Sequence, residues 1–227
     1  GYFGINDKGN VSCYPTLDKN HEVDLQEAVK KLISEKGVKA PLILRFPQIV
    51  EAQLERIHKA FSEAIWNYDY EGKHYGVFPF KVNQRREFID SICTAGQKIG
   101  YGLEVGSKTE FMAALSYDLP EDALFICNGF KDTEFIKLAF IAKAMRKNVT
   151  IVIEGPDELQ MIFDHCKDNP KMVPFCPEIG LRIRLYSRSS GKWEKSSGET
   201  SKFGLSTNEV MHCLEMIKAK DLTQKLG

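Results

Sequence analysis

The 227-residue sequence predicts an α/β fold built on a parallel sheet. Two observations carry this expectation. Short apolar runs alternate with amphipathic segments, and the runs recur at the period of a βα unit. They cover residues 41–46, 75–82, 99–105, 123–127, 149–153 and 179–186, with centres at Leu44, Phe78, Gly102, Phe125, Val152 and Ile183 that lie 23 to 34 residues apart. Short strands flanked by helices are expected to be parallel and buried on both faces. No break in composition separates the units, so 41–227 reads as one domain, preceded by a hairpin and helix over 1–40. Two architectures fit: an open doubly wound sheet, or an incomplete (β/α)8 TIM barrel of about six units, since eight units need about 250 residues.

The elements follow in order. Residues 1–20 mix apolar residues with Asn-Asp and Gly-Asn turn signals and predict a short hairpin. Asp24 is placed to cap a helix in which Leu25, Ala28, Val29, Leu32 and Ile33 recur at helical spacing, and Gly37 to stop it. After the first run, Val50, Leu54, Ile57, Phe61, Ile65 and Tyr68 fall at steps of three and four and predict a long amphipathic helix. Later runs lead into helices over 83–97, 107–117, 132–146, 156–165 and 207–220. Residues 187–203 form the one low-complexity stretch. It reads as a solvated connector or, in a barrel, where loops after strands lie on the catalytic face, as a lid.

Composition removes several function classes. Hydrophobic residues make up 43%, which excludes a mostly disordered chain. Lys plus Arg and Asp plus Glu number 31 each, and the resulting net charge of zero gives no reason to expect a nucleic acid as partner. The apolar runs have the length of strands, which speaks against a transmembrane helix and a membrane role. No secretory leader opens the chain, so a cytoplasmic location is expected. Gly1 is not an initiator Met, which leaves open that the true start was removed. None of the six cysteines forms a C-x-x-C pair, and reduced thiols are expected. His165, Cys166 and Cys176 form a loose cluster whose spacing fits no zinc pattern; its expected role is structural, and no metal site is predicted.

The P-loop, H-E-x-x-H and G-x-S-x-G signatures are absent. Gly96, Gly100, Gly102 and Gly106 do not spell a dinucleotide fingerprint and lie before and along a strand, not after it. What remains is a set of charged or polar residues at the carboxyl ends of apolar strands: Lys81, Glu104, Asn128 and Glu154, with Arg182 and Arg184 inside the sixth run. In α/β proteins this edge binds ligands. A lysine embedded there is expected to be partly desolvated, which favours its neutral, nucleophilic form and suits Schiff-base chemistry. A lysine that snorkels to solvent, or pairs structurally with Glu104, is the alternative.

These residues also carry a family resemblance. The segment from Phe78 to Gln84 (FPFKVNQ) resembles the pyridoxal-phosphate lysine segment of the barrel-fold basic amino-acid decarboxylases, and Gly102 to Glu110 (GLEVGSKTE) resembles the strand end that follows it in that family. Further stretches are similar, within that family, to the bacterial biosynthetic arginine decarboxylases: 2–6 (YFGIN), 41–47 (PLILRFP), 127–132 (CNGFKD), 180–184 (GLRIR) and 198–206 (GETSKFGLS). The resemblance runs from Tyr2 to Ser206.

It implies an alanine-racemase-like (β/α)8 barrel followed by a β-domain. It further implies that Lys81 holds pyridoxal 5'-phosphate as a Schiff base, that L-arginine is decarboxylated to agmatine and CO2, and that the product feeds polyamine (spermidine) synthesis. Glu104 matches an acid near the cofactor, and Arg182 an arginine neighbouring that acid. The two are expected to form an electrostatic pair, either orienting the cofactor or serving as a plain salt bridge. Lys202 matches a residue that reaches a partner subunit, so a homo-oligomer, dimer or tetramer, is expected with Lys202 at its interface. Mg2+ enters as a cofactor candidate by resemblance alone. A ring-stacking histidine, a glycine-rich phosphate loop, an acid for the pyridine nitrogen and the second-domain residues are expected beyond Gly227, so 1–227 alone is expected to be inactive. The alternatives are a relative of the same fold acting on diaminopimelate, ornithine or lysine as a decarboxylase or racemase, and a non-catalytic regulatory homologue.

Overall fold

A computed structural model describes residues 1–184 and 203–226. The chain divides into two compact units, Gly1–His74 with Arg85–Ala95, and Tyr75–Gln84 with Gly96–Gly227.

In the first unit β1 (Phe3–Ile5), β2 (Val11–Cys13) and β3 (Val23–Asp24) form an antiparallel sheet in that order. The predicted hairpin is its first two strands, and Asn6 builds the turn by accepting the backbone N–H groups of Lys8 and Asn10. Asp24 caps α1 (Leu25–Lys36) by accepting the N–H groups of Gln26 and Glu27. Its carboxylate also accepts from the side chains of Asn10 and Asn6. These bonds, that of Asn10 foremost, hold its pKa down at about 2. Gly37, at φ +62°, ends the helix in the left-handed region that glycine tolerates. The long amphipathic helix is α2 (Pro47–Asn67), started by a proline whose missing N–H costs nothing at that position.

One expected strand is not made. Residues 41–46 are extended, with alternating exposure, but join neither described sheet. Pro41 and Pro47 bracket the run without an N–H to donate, and Ile43 is exposed.

The second unit contains the parallel sheet, β4 (Val77–Pro79), β5 (Gly102–Val105), β6 (Leu124–Cys127), β7 (Asn148–Ile153) and β8 (Glu178–Leu181), paired in sequence order. Five of the six expected strands are therefore present. Between them run α4 (Lys108–Leu115), α5 (Thr133–Ala144) and α6 (Pro156–Asp168), and α7 (Thr207–Ala219) follows. α3 (Arg86–Ile99), which links β4 to β5, contributes its greater part to the first unit and its last turn to the second. The first residues of two expected helices act as side-chain caps, Ser107 for α4 and Asp132 for α5. Lys108, hydrogen-bonded to Asp132, is the main cause of the lowered pKa of that aspartate.

Strand order decides between the two architectures. A doubly wound sheet reverses its order at a switch point; this one does not, and sequential order is that of a barrel wall. Burial agrees. Leu103, Val105, Phe125, Cys127, Val149, Ile151, Ile153 and Ile179 are fully buried on one face. The residues that alternate with them, such as Ile126, Thr150, Val152 and Gly180, are only half-buried. Within these residues one face is sealed and the other, which bears Glu104, is partly covered. After α7, Leu226 makes a parallel bridge with Ile179 and continues the alternation. No helix among the described residues is long and apolar enough to cross a membrane.

Candidate active site

The carboxyl edge of the parallel sheet opens into a cavity of about 850 Å³. Its lining brings together all three described residues that the sequence nominated, Lys81, Glu104 and Arg182. Lys202, the nominated interface residue, and most of the 187–203 loop lie outside the described residues.

Lys81 differs from expectation in one respect. β4 ends at Pro79, and Lys81 sits in a 3-10 turn over Phe80–Val82, past the strand instead of inside it. Its side chain is 63% exposed within these 227 residues. Pro79 has no N–H to extend the ladder, which releases the chain two residues early. The amine lies 3.8 Å from Oε1 of Glu104, whose side chain is only 7% exposed. The same oxygen accepts a 3.0 Å hydrogen bond from Nδ2 of Asn128. Lys81 is the only lysine lining the cavity among the described residues.

The partner of Arg182 also differs. Its guanidinium donates to Oε1 of Glu154 at 2.9 Å. Glu104, on β5, is paired with Lys81 instead. Sheet order explains the choice: β7, which Glu154 follows, lies beside β8, whereas β5 is two strands further away. Arg182 also stacks on Phe203, 5.1 Å from the ring centroid, a cation–π contact. Residues 203–205 are held against 182–184 by backbone bonds from Leu205 N–H to the Arg182 carbonyl and from Arg184 N–H to the Leu205 carbonyl.

Two loops complete the edge. Gly129, at φ +76°, packs so closely on the Gly106 carbonyl that a Cβ there would lie 2.7 Å from the oxygen. Its N–H donates to Oε1 of Glu154 at 2.7 Å. Glu110 accepts from the Gly106 N–H and from Gln84. Sequence reasoning named Asn128 and Glu154 as strand-end groups but missed Glu110, Glu158 and the stacking of Phe203. The four-residue step from Glu154 to Glu158 across the start of α6 was the one available signal.

Among the described residues no three His, Cys, Asp or Glu side chains converge on a metal site, so the Mg2+ expectation has no donor set here. In the His165 cluster, Cys176 is buried, and its hydrogen bond to Cys166 raises its pKa while lowering that of Cys166.

An exposed lysine amine at the carboxyl edge of a barrel-type sheet, with buried and paired acids around it, can condense with a carbonyl compound. Comparison with known proteins gives that chemistry a family. Residues 50–224 match the model of the pyridoxal-dependent decarboxylase, pyridoxal-binding domain, and the chain belongs to this family. It is 41% identical over 221 residues to a biosynthetic arginine decarboxylase of Phocaeicola vulgatus, covering 97% of this chain and 34% of that protein. It is 38% identical over 229 residues to that of Vibrio cholerae, covering 100% and 35%. The crystal structure of the biosynthetic arginine decarboxylase of Campylobacter jejuni superposes with a TM-score of 0.83 at 34% identity, over 99% of this chain and 35% of that one. A diaminopimelate decarboxylase from M. jannaschi gives 0.62 at 20% identity, over 95% and 44%, a likeness of fold.

The sheet is thus part of an alanine-racemase-like (β/α)8 barrel, and the family's cofactor is pyridoxal phosphate. The residues present fit that group: Lys81 offers the amine its aldehyde requires, and the cavity has the volume of a cofactor site. The chain spans about a third of the length of the curated relatives it matches.

Proposed function

We propose that the protein carrying this chain decarboxylates L-arginine to agmatine and CO2, with pyridoxal phosphate attached at Lys81, and that the product enters polyamine (spermidine) synthesis. The observation that carries this reading is the family site on a chain about 40% identical, along nearly all its length, to proteins named biosynthetic arginine decarboxylase. The bound cofactor supplies an electron sink for the pair left on the substrate when CO2 departs.

The chain's own residues hold and orient. Glu104 faces the Lys81 amine whenever that amine is free of the cofactor, and is itself fixed by Asn128. Arg182, held by Glu154 and Phe203, presents a fixed positive charge to an anionic group in the cavity. Among the described residues the cavity lining carries four carboxylates besides Glu158, which Lys131 neutralises, against the two cations Lys81 and Arg182. That balance favours a side chain ending in a positive charge over diaminopimelate, whose far end adds a carboxylate. We further propose a cytoplasmic homo-oligomer with Lys202 at its interface, which light scattering tests.

The test uses the whole gene product, with whatever sequence accompanies these 227 residues. Given pyridoxal phosphate and labelled arginine, ornithine, lysine or diaminopimelate in turn, it should release CO2 fastest from arginine. Borohydride reduction should fix the cofactor on the peptide containing Lys81. Faster turnover of another substrate would overturn the substrate assignment; label on a different lysine would overturn the site.

A further inference from the structure

The proposed reaction gives no task to two of the most deeply buried charged side chains. Lys131 is 0% exposed and Glu158 is 1% exposed. Ion pairs in such places are poor stabilisers, because desolvating both charges cancels most of the attraction and an apolar pair of similar volume does as well. What an apolar pair cannot do is reach backbone donors, and here those contacts all point to one place.

Glu158, in the first turn of α6, accepts the Lys131 N–H through Oε1 at 3.0 Å. Its Oε2 accepts the Lys131 amine at 3.1 Å and the Glu154 N–H at 2.9 Å. The Lys131 amine also donates to the Gly129 carbonyl at 2.5 Å. One carboxylate therefore ties the loop after β6 to the loop after β7. Gly129 is gripped twice, by Lys131 at its carbonyl and by Glu154 at its N–H. The backbone of Glu154 is fixed by Glu158, while its side chain holds Arg182.

We infer that Lys131 and Glu158 are a positioning pair for the cofactor site, setting Glu154 and through it the Arg182 guanidinium. The inference rests on the proposed function, because the geometry it protects is that of the pyridoxal-phosphate pocket. The pair is buried, so salt does not screen it as it would a surface pair.

Two variants of the full-length protein test this. Glu158→Asp keeps the charge opposite Lys131 but shortens the reach to the Glu154 N–H. Lys131→Met with Glu158→Leu removes both charges and fills the space with apolar side chains. Glu158→Asp should unfold near the wild-type temperature, and the double variant should still fold but unfold somewhat below it, since the Glu154 N–H loses its acceptor. Both should also bind pyridoxal phosphate, titrated by its absorbance, roughly tenfold more weakly, the scale on which groups that orient direct ligands act. The pH dependence of the bound cofactor's absorption band should shift as well, which a purely structural pair would not cause. Wild-type affinity and an unmoved band in either folded variant would overturn the inference. So would failure of both variants to fold, which would make the pair a folding element. A wild-type protein that binds no pyridoxal phosphate would instead overturn the proposed function.

Discussion

Lys81 and Lys131 each follow a strand of the same sheet and each face a buried glutamate, yet they are built in opposite ways. Lys81 is 63% exposed, in a short turn, and meets Glu104 at 3.8 Å. Lys131 is fully buried and meets Glu158 at 3.1 Å, with a backbone carbonyl as second acceptor. Lys81, the amine proposed to react, has to leave its carboxylate and reach a carbonyl carbon, which its long contact allows. A structural amine has to stay, so it is sealed in and bonded twice. The comparison teaches that the lysine proposed to react is the less well held of the two.

The largest effect that would break this contrast lies at Lys81. Lys81→Met in the full-length protein should lower turnover roughly 10⁴-fold, the upper range for loss of a group acting in the chemistry. It should do so with little change in the denaturation midpoint, since a mostly exposed ion pair contributes about 0–1 kcal/mol. A large loss of stability would show that Lys81 is a structural residue after all.

The converse comes next. Lys131→Met alone leaves Glu158 buried without its partner and should cost about 3–5 kcal/mol in denaturant unfolding. A cost below 1 kcal/mol would mean that Glu158 is paid for by its backbone bonds alone.

These two lysines also mark what the sequence could and could not reveal. The helix starts were legible, because Asp24, Ser107 and Asp132 are local signals whose partners lie within three residues. Lys81, the proposed reactive lysine, was singled out through its motif, but its place past the strand was not legible, since hydrophobicity runs on through Pro79 and Phe80 while the ladder stops. Residues 41–46 carry a strand's composition without a place in the sheet, for pairing depends on a neighbour that composition does not specify. Lys131 and Glu158 are 27 positions apart, one on a loop and one in a helix, and no local pattern links them. The partner of Arg182 required knowing that β7, not β5, lies beside β8.

A smaller effect sharpens the contrast between sealed and solvent-facing charge. Asp24 has its pKa depressed from 3.8 to about 2, so its contribution to stability is present above pH 3.8 and is lost as pH falls toward 2. Asp24→Ala should lower the thermal midpoint at pH 7, and the gap from wild type should close across that window. A gap that persists at pH 2 would show that the cap does not act through its charge.

The smallest test concerns the thiols, which divide in the same manner. Burial raises the pKa of Cys127 and Cys93, the latter to about 12, whereas the Cys176 hydrogen bond lowers that of half-buried Cys166. Brief alkylation of the native protein should modify Cys166 before the other two, as peptide mass spectrometry would show. Equal labelling of all three would contradict the burial described for them.

The unbroken strand order has a consequence for how the chain reaches its structure. Every strand from β4 to β8 hydrogen-bonds to the next one synthesised, with a single helical connection between them. Contacts of this kind are close in sequence for a parallel sheet, and closing each connection is a modest entropic step. From β5 to β8, each strand finds one partner already made. A chain emerging from the ribosome gains one βα unit at a time, and each new strand meets the edge left by its predecessor.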